Sequence, residues 1–154
     1  MTYGLPTIYL DHAATTPTDP EVVSAMLPYF TQVFGNPSSI YQIGQDGLAA
    51  VERSRRAIAS ILGCRSAEIV FTSGATESNN LALKGVAWAA RLADPEGPAP
   101  HLITTAIEHH AVLHAAESLR DQGFAVTVLD CDEQGLISPN TLRQAIRPET
   151  CLIS

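Results

Sequence analysis

A chain of 154 residues with 45% hydrophobic and 16% charged side chains is long and apolar enough for one globular domain with a sizeable core. Its formal net charge of -7 argues against a nucleic-acid partner, which needs clustered Lys and Arg. No apolar run reaches the roughly 18 residues of a membrane span, and the start MTYGLPTIYLDHAATTP lacks the basic and apolar stretches of a signal peptide. Cys64, Cys131 and Cys151 are odd in number and have no metal-ligand spacing. They suit a reducing, cytoplasmic setting as small buried hydrophobes, and no metal site is expected.

In chain order, IYLD is a short extended run ahead of the Thr- and Pro-rich ATTPTDP. Asp19 is placed to cap a helix with Pro20 in its first turn, and Val22, Val23, Met26 and Leu27 form its apolar stripe. FGNPSS then breaks the chain. Ser39 is placed to open a longer helix carrying Leu48, Val51, Ile58, Ile61 and Leu62, with Gly63 as its stop.

From Glu68 the pattern becomes regular. EIVF reads as a strand, ATESNNLALKGVAWAARL as a helix, ADPEGPAP as a loop and HLITT as a strand. HAVLHAAESLRDQ is a helix stopped at Gly123, AVTVLD a strand, SPNTLRQAI a short helix and TCLIS a strand. This alternation predicts an α/β fold, a mostly parallel sheet with helices on both faces. The apolar CLIS with nothing after it predicts a bare sheet edge, and so the front part of something longer.

The joint TSGATES lies where doubly wound sheets bind ligands, beyond the carboxyl end of a strand. Gly74 permits close approach of a ligand, and Ala75 and Thr76 begin a helix whose first N–H groups lack intrahelical partners. With the helix dipole they favour an anion, a phosphate above all. Thr72, Ser73, Thr76 and Ser78 add hydroxyls. The plainer alternative is a capped helix after a tight turn, and neither a Walker loop nor a dinucleotide fingerprint is present. ITTAIEHHAVL follows the next strand and brings His109 and His110 to the same side of the sheet. Two imidazoles there can stack on an aromatic ligand or move protons, or can simply be structural. Together the two loops suit a small planar ligand with a phosphate tail.

YLDHAATTP, FGNPSS, FTSGATESNNLALKG and TTAIEHHAVL stand in the order and spacing of the cysteine desulfurases, and the chain resembles that family from Ile8 to Ser154. These are class V aminotransferases of pyridoxal-phosphate fold type I. The resemblance implies an N-terminal arm at residues 1–18 and, at 19–154, the N-terminal part of an incomplete large domain. It implies pyridoxal 5'-phosphate as cofactor, L-cysteine as substrate, a sulfur acceptor or iron–sulfur scaffold as partner, and a homodimer for the full-length protein. Gly74, Ala75 and Thr76 match the phosphate-binding segment, His109 the catalytic imidazole that stacks on the pyridine ring, and Asn36 a segment near the substrate. Asn36 can equally serve only to stabilise the turn before Pro37.

The family's Schiff-base lysine and persulfide cysteine have no counterpart here, so the chain alone is expected to be inactive. Lys84, the single lysine, lies roughly 12 Å along the helix axis from Thr76 at 1.5 Å per residue. It is expected at the edge of an apolar face rather than at a cofactor aldehyde. A selenocysteine lyase-like or other class V substrate keeps the same residues. A non-catalytic phosphate- or partner-binding piece, or half of a split enzyme, is the reading from another class.

Overall fold

A computed structural model describes residues 8–154, so the first seven residues of the expected arm lie outside the described residues. The chain divides into two compact units, Met1–Val70 and Phe71–Ser154.

The first unit is helical. Helix α1 (Pro20–Thr31) starts as its sequence predicts: Asp19 accepts the N–H of Glu21 at 2.8 Å, with proline in the first turn. Its stripe of Val22, Val23, Met26 and Leu27 remains 42–56% exposed. Helix α2 (Gln42–Leu62) ends on Gly63, whose φ of 68° is the left-handed stop expected of it. It begins later than Ser39, which is a correction. Asn36 accepts the N–H of Ser38 at 2.9 Å, and its carbonyl takes the N–H of Ser39 at 2.9 Å, so Ser39 is spent in a turn. That turn packs tightly on α2. A Cβ on Gly44 would stand 2.7 Å from the carbonyl oxygens of Asn36 and Ser39. A short 3-10 turn, Ser66–Glu68, follows α2 and is tied back to it by the Arg55 guanidinium, which donates to the Ile69 carbonyl.

Two expected extended segments are not strands. Ile8–Leu10 carry no strand among the described residues, and the Tyr9 hydroxyl instead donates to the carbonyls of Asp11 (2.7 Å) and Thr15 (3.2 Å). In EIVF, Glu68 closes the 3-10 turn and Ile69 is extended at φ -92°, ψ 123°, but Ile69–Phe71 belong to no strand. A β-prone sequence becomes a strand only through a partner's ladder, and its own residues cannot supply one.

The second unit is the expected α/β layer. It runs α3 (Ala75–Ala93), β1 (His101–Thr105), α4 (His110–Asp121), β2 (Ala125–Leu129), α5 (Pro139–Ala145) and β3 (Thr150–Ile153). The three strands are parallel in the order β2-β1-β3, so the connection through α5 passes over β1. Being central, β1 buries His101 through Thr104 in succession, as a parallel strand covered on both faces does. Strand β3 carries one extra residue, Cys151, where its pairing slips between His101 and Leu102.

The core lies where α3 and α4 meet one face of this sheet. Leu83 and Ala87 of α3 and Val112, Ala115, Ala116 and Leu119 of α4 pack on Leu102, with Val126 and Leu152 beside them. Phe124 joins them and meets Trp88 edge to face at 5.1 Å. On the other face the buried His101 ring bridges the edge strands. Its Nδ1 lies 2.8 Å from the Thr150 hydroxyl and its Nε2 2.9 Å from that of Thr127. Burial, then the nearby Arg147, pushes this imidazole below the ordinary 6.5, while Glu149 opposes them.

Candidate functional site

The second unit brings the start of α3 and the start of α4 around one cavity of about 320 Å³. Thr76, Asn80 and Lys84 line it from α3, where their i, i+4, i+8 spacing puts them on one face. His109, His110 and His114 line it from the α4 side, with Ala111 and Ala115 between.

The α3 end has the properties its sequence implies. Hydrogen bonding within the helix begins with Ser78 N–H on the Gly74 carbonyl at 3.1 Å. The N–H groups of Ala75, Thr76 and Glu77 therefore have no intrahelical acceptor. Gly74 is the N-cap and no side chain caps it. A Cβ placed there would meet nothing within 4 Å, so the room beside this backbone is open.

The loop hydroxyls divide into two groups. Ser73 donates both its N–H and its hydroxyl to Glu77 at 2.6 Å, and Thr72 and Ser78 share a hydrogen bond of 2.6 Å. The Ser73 hydroxyl, then its N–H, hold the Glu77 carboxyl below the usual carboxylate range. These bonds brace the turn and occupy the Ser73 donors. Thr76 is the hydroxyl residue of this segment that lines the cavity.

His109 is the N-cap of α4, and its Nδ1 accepts the N–H of Ala111 at 3.0 Å. With that lone pair engaged, the neutral ring carries its proton on Nε2. His110 lies 6.2 Å from His109, centroid to centroid, and stacks on His114 at 5.3 Å with 24° between the planes. His109, His110 and His114 are all exposed.

Thr76 and His109, read separately from two loops, thus meet in one cavity. Asn36 belongs to the first unit, is exposed and forms the local turn described above. Lys84 is half-buried and lines the cavity together with Ala111 and Ala115. Asn80 and His114 went unnoticed in the sequence. Their four-residue spacing from Thr76 and His110 was the available signal.

The second unit thus combines parallel strands and crossover helices with an open helix terminus within SGAT and an imidazole at the next helix start. Residues 8–154 match the aminotransferase class-V family model, and the chain belongs to that family. Among its relatives, the cysteine desulfurase IscS of Methanosarcina thermophila is 52% identical over 147 residues, covering 96% of this chain and 35% of that protein. The mitochondrial cysteine desulfurase of Eremothecium gossypii is 49% identical over 153 residues, covering 99% of this chain and 30% of that protein. A solved structure described as SspA in complex with cysteine superposes with a TM-score of 0.84 at 44% identity, over 96% of this chain and 41% of that one. The chain therefore spans about a third of the length of the curated relatives it matches. Among the described residues no helix is long and apolar enough to cross a membrane.

Proposed function

We propose that this chain supplies the phosphate-holding and imidazole-bearing part of a pyridoxal-phosphate-dependent cysteine desulfurase. The observation that carries the reading is the shared cavity of Thr76 and His109, one at a helix terminus with unpartnered N–H groups and one at the next helix start. The donor set fits the cofactor. Ala75 and Thr76 would hold the phosphate dianion through backbone N–H groups and the Thr76 hydroxyl, and the open space beside Gly74 leaves room for it. His109 would offer its ring to the pyridine, and its Nε2 is the atom at which it holds or passes a proton. When bound, the cofactor supplies the electron sink.

On this reading L-cysteine is the substrate, alanine the product, and the sulfur passes as a persulfide to an acceptor or iron–sulfur scaffold protein. Asn36 is assigned to the substrate side, in a homodimer of the complete enzyme. The three free, half-buried thiols suit a reducing compartment such as the cytoplasm.

The test is a titration of the chain with pyridoxal 5'-phosphate, followed by phosphorus NMR, together with an assay for alanine from cysteine. Binding is expected, weakened on the order of tenfold by Thr76→Ala. No alanine should form from the chain alone, because its single lysine stands two helical turns from the phosphate end. A folded chain that ignores the cofactor, or binds it equally well without the Thr76 hydroxyl, overturns the assignment.

A further inference from the structure

The His110–His114 pair has no part in the reading above, and its geometry points to a second kind of ligand. We propose that these two imidazoles form a site for a divalent transition metal of the zinc or copper type at the mouth of the cavity. Both side chains are exposed, sit four residues apart on α4 and face one another, with ring centroids 5.3 Å apart. Two imidazoles one helical turn apart on one face are a recurrent zinc-binding pair. Zn–N bonds of about 2.0–2.1 Å place each ring centroid roughly 3.2 Å from the metal, and a tetrahedral angle then separates the centroids by about 5.2 Å. The centroid spacing matches that of a chelate, but the rings stack with 24° between their planes, so a side-chain rotation is needed to turn both in-plane nitrogens onto one ion.

The site is a two-nitrogen one. Among the described residues no group of three or more His, Cys, Asp or Glu side chains converges on a metal position. The nearest further imidazole, His109, has its Nδ1 committed to the Ala111 N–H. Water would complete the coordination, which leaves positions open for exchange. Lys84 lines the same cavity, and its ammonium opposes a cation there. That opposition gives the proposal a sign to test, since a site for an anion would depend on the same lysine in the opposite sense. The proposal does not rest on the cofactor reading, and neither Thr76 nor His109 is needed as a ligand.

The experiment titrates the chain with Cu²⁺, the tightest binder of the divalent series, and follows it by electron paramagnetic resonance, with Zn²⁺ as competitor. The expected result is one bound equivalent with nitrogen coupling from two imidazoles, displaced only by a large excess of Zn²⁺. His114→Ala and the milder His114→Gln should each weaken binding on the order of tenfold or more, at unchanged helical circular dichroism. His110→Ala should do the same, and Lys84→Met should tighten binding at least about twofold. Equal affinity in the histidine variants assigns the copper to thiols or the amino terminus and overturns the proposal. Weaker binding in Lys84→Met overturns it as well.

Discussion

The Nδ1 of His109 accepts the backbone N–H of Ala111 at 3.0 Å, so one imidazole both caps α4 and faces the cavity. The two duties are separable by substitution. His109→Ala removes both, and losing the cap should cost about 0.5–2 kcal/mol of stability. His109→Asn keeps a good capping acceptor without an imidazole. It should hold close to wild-type stability in urea unfolding, yet lose cofactor affinity as fully as the alanine variant. Asparagine matching wild type in cofactor binding would leave His109 a structural cap only.

The open space beside Gly74 makes a second prediction. Its backbone, at φ 166° and ψ -180°, is extended and accepts any residue, and an added Cβ meets no protein atom within 4 Å. Gly74→Val should therefore fold normally while filling the room assigned to the phosphate. The expected result is an unchanged melting temperature and a loss of cofactor binding on the order of tenfold. An unchanged affinity would place the phosphate elsewhere.

Glycines in helices separate by what surrounds them. Gly44 has backbone oxygens 2.7 Å from where a Cβ would stand, whereas Gly85 on α3 has nothing within 4 Å. Gly44→Ala should destabilise by about 1–3 kcal/mol through overpacking against a backbone that cannot yield. Gly85→Ala should stabilise by about 0.4–1 kcal/mol by restricting the unfolded chain. Urea titrations of the two variants should move the midpoint in opposite directions.

His101 sets a pH dependence. Its folded-state pKa is depressed below 6.5, by burial first and Arg147 second, so the unfolded chain binds the extra proton more readily. The stability it contributes is fully present above 6.5 and is lost as the pH falls through the depressed folded value. Replacing His101 with Gln should flatten the fall in stability between neutral and mildly acidic pH, read from urea midpoints across that range. An equally steep fall in the variant would assign the effect to other groups.

Much of the second unit was written in local signals. The β1, α4, β2, α5, β3 succession follows from apolar runs of strand length set between helix-period segments and punctuated by Gly123 and Pro139. The stops at Gly63 and the cap at Asp19 were equally local, because a left-handed turn and a side-chain acceptor act within three residues of themselves. For the same reason Gly74, Ala75 and Thr76 could be recognised as a helix start with unpartnered donors before any packing was known.

Non-local relationships were decided by the tertiary structure. EIVF has strand composition but joins no strand, since a ladder requires a neighbour that its own residues cannot specify. Ser39 has cap chemistry, yet the Asn36 turn consumes it. Lys84 reads as peripheral along the helix axis and proves to face the cavity, because rotation about the axis matters as much as distance along it. The meeting of Thr76 with His109 depends on how α3 and α4 settle on the sheet, whereas His110 and His114 meet through the four-residue period of α4 itself. Sequence determined which local features form, a helix start with free donors and an imidazole at a helix cap, and packing determined that they share a space.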